Sequence, residues 1–280
     1  MPALSRPRWR LLDTGAADGF TNMAVDEALL EVSAAEGGPS TLRFYSWSPP
    51  ALSLGYGQSI AGEIDFHRCT SLGIDVVRRP TGGRAVLHDH EVTYSVVIKA
   101  ADPRVASGLL ASYLTISRGL VRGLLYLGIT AELVPIQRGA LLPSDEASPV
   151  CFATLSSYEV AVAGRKIIGS AQRRVHDLIM QHGSIPLWHD LDKLRAVFSS
   201  SLPGGRSDHG EVVYQAHMTS LQEAGGRAYS YAEVVAALTR GMVEVWQVDL
   251  LPDQLTAAEK ERSTHLRATK YGSDSWTWRR

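Results

Sequence analysis

The chain has 280 residues, of which 45% are hydrophobic and 20% are charged, and its formal net charge is −1. This balance is typical of a globular protein with a full core, and it lacks the basic surplus that binds nucleic acid or an anionic membrane. Two cysteines, Cys69 and Cys151, cannot form a disulfide framework, which favours a reducing compartment. With neither an apolar signal segment nor a run of about 20 apolar residues, we expect a cytoplasmic protein that does not span a membrane.

The first half of the chain alternates between strand-like and helix-like apolar patterns. The predicted strands are Trp9–Asp13, Thr41–Tyr45, Ala51–Leu54, Ile74–Arg78, Val92–Ile98 and Ala131–Val134. The predicted helices are Met23–Ala35, Ile60–Leu72 and Val105–Leu127. Thr21 or Asn22 is the expected N-cap of the first helix. Pro135–Pro149 contains several breakers and no periodicity, which predicts a surface loop.

The second half opens with a predicted hairpin, in which the turn signal at Gly164 folds Tyr158–Ala163 back against Arg165–Val175. Further helices are predicted at Asp190–Phe198, Met218–Glu223, Tyr231–Trp246 and Thr256–Tyr271. Thr256 and Glu259 fit a capping box, and the terminal Trp276 and Trp278 are expected to pin the tail to the body. Because the strands do not alternate regularly with helices, the order indicates an α+β fold. We expect one domain over residues 1–210, with a helical C-terminal extension over 211–280 packed on it.

One loop candidate follows the predicted strand that ends at Arg78. Gly82 and Gly83 come directly after a Pro-Thr turn, and such a backbone can present N–H groups to a carbonyl, phosphate or carboxylate oxygen. Arg79 and Arg84 flank the glycines. The same residues are equally consistent with a simple hairpin turn that carries solvated arginines. The Gly-Lys-Ser/Thr ending of a phosphate-binding Walker loop is absent.

A thiol and an amine flank the predicted hairpin and form the candidate catalytic pair. Lys166 starts the returning strand, so its ammonium could reach back to the loop that holds Cys151 and favour the thiolate. On residue type alone, a cysteine is more often a small buried hydrophobe, which is the expected role of Cys69. Gly169 and Gly183 interrupt β-prone sequence, which suggests that a ligand or another chain segment approaches the backbone closely there.

Three stretches resemble, in order, the motifs of the lipoate-ligase and biotin-ligase catalytic-domain family. They are Arg78–Asp89 with Thr93–Ser95, Gly164–Gln172, and Gln181–Ser184, and the resemblance covers about Leu11 to Phe198. It implies an α+β domain with a mixed β-sheet flanked by helices and an apolar tunnel for an acyl chain, and it implies no metal and no cofactor. The substrate-binding residues that it implies are Arg79, Gly82, Gly83, Arg84, Ala85, His88, Gly169, Ser170, His182 and Gly183.

Within that family, Arg84 stands where ATP-dependent lipoate ligases carry a third glycine, and Cys151-Phe152 resembles the cysteine-dependent octanoyltransferases. The resemblance implies that Cys151 takes octanoyl from octanoyl-acyl carrier protein as a thioester. Lys166 is then the second catalytic residue, and the acceptor is a lysine of a lipoyl-domain protein such as glycine cleavage H protein. His88 and His182 are candidate proton acceptors or structural residues.

Three alternatives to this function remain open at the level of sequence. One is an ATP-dependent lipoate–protein ligase, and another is an amidotransferase that moves octanoyl between lipoyl-domain proteins. The third is an acyl- or cofactor-binding module that has kept the fold without the activity.

Overall fold

A computed structural model describes residues 6–59, 64–105, 108–135, 158–198 and 217–279. The strands are β1 (Arg8–Ala17), β2 (Thr41–Trp47), β3 (Ala51–Leu54), β4 (Asp75–Arg78), β5 (Val86–His88), β6 (Glu91–Lys99), β7 (Glu132–Pro135), β8 (Tyr158–Val162), β9 (Arg165–Val175), β10 (Leu178–Pro186) and β11 (Asp249–Pro252). The helices are α1 (Gly19–Glu36), α2 (Phe66–Ser71), α3 (Leu109–Tyr126), α4 (Leu191–Phe198), α5 (Leu221–Gly225), α6 (Tyr231–Trp246), α7 (Ala257–Leu266) and α8 (Asp274–Thr277).

The strands form two sheets. The larger has eight strands in the order β11-β1-β2-β6-β10-β9-β8-β7, and the smaller has the order β4-β3-β5. In the larger sheet β11, β1 and β2 run parallel, whereas the pairings from β2 through β7 are antiparallel. This arrangement confirms the predicted α+β class with a mixed sheet.

Helices cover both faces of the larger sheet. The main core lies on one face, where Phe44 and Tyr94 share a buried cluster with residues of α3 and α6. These two helices cross at glycines, because a Cβ on Gly123 would lie 2.7 Å from the Cα of Leu238. On the opposite face, apolar residues of α1 pack against alternate residues of the same strands, such as Val97 of β6. The period-two alternation of side chains therefore divides the sheet into two chemically distinct faces.

Several predicted boundaries are confirmed, and Ala51–Leu54 and Tyr231–Trp246 match to the residue. The predicted cap of α1 was wrong, because Asp18 is the N-cap and accepts a hydrogen bond from the Thr21 N–H at 2.6 Å. The helix predicted from Ile60 begins only at Phe66, because Asp65 caps it there. Residues 60–63 lie outside the described part of the chain.

The C-terminal region contains a strand that the sequence pattern did not reveal. β11 extends the large sheet by pairing in parallel with β1, within the stretch predicted to be helical. The capping box of Thr256 and Glu259 is confirmed, and the helix continues past Leu266 as a π-helical turn over Arg267–Tyr271. The predicted domain boundary near residue 210 and most of the predicted loop after Pro135 lie outside the described residues. None of the described helices is long and apolar enough to cross a bilayer.

Candidate active site

The predicted hairpin that carries Lys166 is confirmed as β8 and β9. Its two turn residues, Ala163 and Gly164, have positive φ angles of 48° and 75°, which suits the two-residue turns that join twisted strands. Lys166 pairs with Ala161, and its Nζ lies 2.5 Å from the Glu159 carboxylate on the neighbouring strand. Cys151, the predicted nucleophile, lies outside the described residues, so its role stays a prediction.

The Lys166 side chain lies along its own strand and over Gly169. A Cβ built on Gly169 would stand 3.2 Å from the Lys166 Cε and 3.7 Å from its Nζ. Gly169 pairs with Ser184 on β10 and so shares its face of the sheet. A side chain at position 169 would therefore press on the Lys166 Cε and lie in contact with its ammonium.

Ser170 and Gly183 meet on the opposite face of the sheet. The Tyr94 hydroxyl donates to the Ser170 Oγ at 2.8 Å, and a Cβ on Gly183 would come within 2.6 Å of the Tyr94 ring. Burial raises the pKa of Tyr94 above its ordinary value, so its hydroxyl stays protonated as a donor. Because consecutive strand residues point to opposite faces, Ser170 is separated from Lys166 by the thickness of the sheet.

Arg79 holds together the loop that carries Gly82 and Gly83, which we call the glycine loop. Its guanidinium directs all five N–H donors to nearby oxygens, those of Ser53 and the Gly82 and Arg84 carbonyls. The side chain is buried, which corrects the interpretation of Arg79 as a solvated arginine. Because every donor is engaged, Arg79 in this conformation fixes the backbone of the glycine loop. Gly83 and Arg84 are the exposed residues of that loop.

The glycine loop also rests directly on the loop that follows β3. A Cβ on Gly55 would lie only 1.8 Å from the Gly83 carbonyl oxygen, so the two backbones touch. Gly83 itself has a φ of 102°, a conformation that L residues rarely adopt. Gly82 and Ala85 are half-buried on either side.

Arg78 ties this region to the C-terminus. It is fully buried and donates to the carbonyls of Gly55, Gln58 and Thr277. Burial and then the positive charge of Arg279 lower the pKa of the Arg78 guanidinium. Trp276 donates its indole N–H to the Arg78 carbonyl at 2.8 Å, which confirms that a terminal tryptophan pins the tail to the body.

His182 joins the glycine loop to a buried charge pair. Its Nδ1 lies 2.9 Å from the Asp26 carboxylate and its Nε2 lies 2.6 Å from the Thr81 hydroxyl. Asp26 is fully buried, and its Oδ1 forms a salt bridge with the Arg43 Nη1 at 2.7 Å. Burial alone would raise the pKa of Asp26, but Arg43 and His182 outweigh burial and the pKa lies below its ordinary value.

His88 is equally enclosed. Its Nδ1 lies 2.8 Å from Glu91, its Nε2 lies 2.7 Å from the Ser53 hydroxyl, and its ring stacks on Trp47 at 4.1 Å. Burial would raise the pKa of Glu91, but His88 and two hydroxyl donors hold it below its ordinary value. Because both ring nitrogens of His88 and of His182 are engaged, the structural interpretation of the two histidines is favoured over that of proton acceptors.

The second cysteine packs as predicted. Cys69 is buried in α2, and burial, with a smaller contribution from Asp65, raises the pKa of its thiol to about 11. It is therefore not a nucleophile at neutral pH. Among the residues that the structure describes, no group of His, Cys, Asp and Glu could hold a metal ion.

The predicted site residues thus divide into two groups. Lys166, Gly169 and His182 share the α1 face, with the glycine loop joined to His182 through Thr81, whereas Ser170 and Gly183 face Tyr94 on the other side. Sequence reasoning missed four residues that position them, namely Asp26, Arg43, Tyr94 and Glu159. Tyr94 lies within one of the motifs, Arg43 and Glu159 are single charged residues among mostly apolar ones, and Asp26 stands beside Glu27 with no pattern to single it out.

The fold and these motifs define a class of protein. The sequence model of the lipoyl protein ligase A/B catalytic domain matches residues 18–243, and the chain belongs to this family.

Curated relatives narrow the class. The chain is 40% identical over 272 residues to the octanoyltransferase LipM of Carboxydothermus hydrogenoformans, covering 97% of this chain and 98% of that protein. It is 43% identical to the LipM of Kyrpidia tusciae, over 97% and 99% of the two chains. It is 36% identical to that of Bacillus subtilis, over 99% and 100%. Relatives of this identity over nearly the full length show that the chain is an acyltransferase.

Solved structures agree on the fold. A bi-partite lipoate protein ligase from Thermoplasma acidophilum superposes with a TM-score of 0.79 at 24% identity, covering 97% of this chain and 96% of that one. A lipoate-protein ligase A bound with ATP gives a TM-score of 0.78, also at 24% identity, over 97% and 98% of the chains. These similarities confirm the lipoate-ligase-like fold that the motifs implied.

Proposed function

We propose that this chain transfers an octanoyl group from octanoyl-acyl carrier protein, through a thioester on Cys151, to a lysine of a lipoyl-domain protein in lipoate biosynthesis. Relatives named octanoyltransferase, matched from end to end, support the octanoyl group. One solved relative is described together with an E2 lipoyl domain, which supports an acceptor of that class. Glycine cleavage H protein is the acceptor that we propose first.

The single structural observation that carries the proposal is the placement of Lys166. Its ammonium lies over Gly169, on the sheet face that also carries His182 and its contact with the glycine loop. A fixed cation is what a cysteine mechanism needs, since it favours the thiolate and stabilises the oxyanion of the tetrahedral intermediate.

In the proposed first step the Cys151 thiolate attacks the donor thioester carbonyl. A new C–S bond forms, the C–S bond to the carrier breaks, and the carrier leaves as a thiolate. Both sides of this step are thioesters, so it is close to isoenergetic and requires no ATP.

In the proposed second step the acceptor amine attacks the Cys151 thioester. A C–N bond forms, the C–S bond breaks, and the departing thiolate can take the proton that the amine loses. The product is an amide, so this step runs downhill. Burial of the acyl chain supplies selectivity, since an eight-carbon chain contributes about 5 kcal/mol at roughly 0.8 kcal/mol per methylene.

An ATP-dependent lipoate ligase is the second candidate, because the solved relatives include a ligase bound with ATP. Those structures are only 24% identical and establish the fold alone. Arg84, where such ligases carry a third glycine, favours the transferase.

The test is to incubate the protein with octanoyl-acyl carrier protein in the absence of nucleotide and to measure its intact mass. We expect one octanoyl adduct that maps to Cys151 and passes to a lipoyl-domain protein. A strict requirement for ATP with free octanoate or lipoate would assign the chain to the ligases instead.

A further inference from the structure

Glu159 is a carboxylate to which the proposed reaction assigns no role. It lies on β8, and its Oε1 is 2.5 Å from the Lys166 Nζ, with 21% and 30% of the two side chains exposed. Arg165, which precedes Lys166 on β9, makes a similar ion pair with Glu223 at 3.1 Å. Both ion pairs are partly exposed, and solvent screening limits what such pairs contribute to stability, so folding alone does not account for Glu159.

A β-bulge in β9 builds the place where the ammonium lies. Ala161 pairs with Lys166, but Val160 pairs with Ile168, so Ile167 is an extra residue. Without the bulge, Ile168 would stand opposite Glu159 on the face that carries Lys166. With it, Ile168 turns into the buried core and Gly169 takes that position, which leaves room for the ammonium.

The backbone of Lys166 is held from both sides, so only its side chain can move. Ala161 pairs with it on one side, and on the other the Thr219 N–H donates to the Lys166 carbonyl at 2.9 Å. A lysine side chain has several rotatable bonds, and ordering it costs conformational entropy. The Glu159 carboxylate offsets that cost by binding the ammonium over Gly169.

We propose that Glu159 is a positioning residue for acyl transfer, which holds the Lys166 ammonium over Gly169 before the acyl group arrives. This inference deepens the proposed function and depends on it. Glu159 acts through Lys166 and does not itself contact the reacting atoms. Because the cation is ordered in advance, the reacting complex does not have to order it during the reaction.

The test compares Glu159→Gln with Glu223→Gln, which removes the carboxylate from the neighbouring ion pair. Glu159→Gln keeps the shape of the side chain and an acceptor oxygen but removes the charge. We expect its kcat for octanoyl transfer to fall by about tenfold or more while the KM for either protein substrate stays within about twofold. Glu223→Gln should leave both constants within about twofold of wild type.

A second variant tests whether Glu159 acts through the lysine. On a Lys166→Met background, Glu159→Gln should leave the residual single-turnover rate unchanged within about twofold, because the interaction is already lost. An equal loss of rate on both backgrounds would overturn the proposal. So would a kcat of Glu159→Gln that matches wild type.

A third measurement does not depend on Cys151. Labelling of Lys166 with acetic anhydride, followed by peptide mass mapping, should be several-fold faster in Glu159→Gln than in Glu223→Gln, because the amine is released. Equal labelling in the two variants would show that Glu159 does not hold Lys166. If labelling rises but Lys166→Met transfers octanoyl normally, the positioning contact stands and the proposed role of Lys166 fails.

Discussion

Gly169 and Gly183 lie in adjacent rungs of the ladder between β9 and β10, with Gly169 opposite Ser184 and Gly183 opposite Ser170. Because they face opposite sides of the sheet, replacing each by alanine should have opposite consequences. A Cβ on Gly183 would stand 2.6 Å from the Gly169 carbonyl oxygen and 2.7 Å from the Ser170 Oγ, where the backbone cannot yield cheaply. Such overpacking in a buried strand costs about 1–3 kcal/mol. Displacing the Tyr94 ring from Ser170 adds about 1 kcal/mol for the lost hydrogen bond.

The gain from a less flexible unfolded chain, about 0.4–1 kcal/mol, offsets part of this cost. We therefore expect Gly183→Ala to lower the free energy of unfolding by about 2 kcal/mol. At Gly169 a Cβ meets only the flexible end of Lys166, at 3.2 Å from its Cε. Gly169→Ala should consequently keep its stability within about 1 kcal/mol of wild type, yet transfer octanoyl more slowly because the ammonium is displaced.

Urea unfolding followed by tryptophan fluorescence measures the first effect, and transfer from octanoyl-acyl carrier protein measures the second. Both variants should be assayed at the same protein concentration and temperature. If Gly183→Ala unfolds at the wild-type urea concentration, the close packing of Tyr94 against Gly183 is wrong. If Gly169→Ala transfers octanoyl at the wild-type rate, the placement of the Lys166 ammonium over Gly169 has no bearing on the reaction.

Three further predictions concern the nucleophile, the lysine and the buried aspartate. Cys151→Ala should abolish transfer and the octanoyl adduct while leaving the fold intact, whereas Cys69→Ala should retain transfer; comparable transfer by Cys151→Ala would contradict the thioester. Lys166→Met should slow transfer by about a hundredfold or more and move the alkylation of Cys151 to higher pH. Lys166→Arg should restore the thiolate better than it restores the transfer rate. If the transfer rate and the alkylation profile of Lys166→Met stay within about twofold of wild type, the lysine has no part in the mechanism. The pKa of Asp26 is lowered in the folded state, so its carboxylate contributes stability above the ordinary aspartate pKa of about 3.9 and loses it as the pH falls through the lower folded value. Asp26→Asn should therefore cost most stability in urea unfolding at about pH 7, and the difference from wild type should shrink towards about pH 3.5; a difference that does not change with pH would contradict the charge pairing.

The elements that sequence reasoning located best are those whose ends are marked by a helix-capping residue or by a flanking proline or glycine. α6 begins where the Ser230 side chain accepts from the Glu233 N–H, and β3 lies between Pro50 and Gly55. Among the strands that it did not predict, β10 has nine residues, whereas β5 and β11 have only three and four. A strand that short has no measurable periodicity, and it exists because β3 and β1 offer it a partner.

The buried charges could not be predicted for a similar reason. Asp26 and Arg43 lie on different elements, and each stands in a segment of mostly apolar residues that predicts a core. Their pairing depends on how α1 crosses the sheet, which no local pattern records. His182 was singled out by its motif, but its partners Asp26 and Thr81 come from distant parts of the chain.

The bulge at Ile167 shows most clearly where a sequence argument ends. The turn at Gly164 correctly predicted the hairpin, and an unbroken ladder from that turn pairs Glu159 with Ile168. In that register a bulky side chain would occupy the position over which the Lys166 ammonium lies, and Gly169 would have no evident purpose beside it. One extra residue moves Ile168 into the core and places Gly169 under the lysine. The glycine that sequence reasoning recognised as a close approach is therefore explained by a register shift that sequence reasoning could not see.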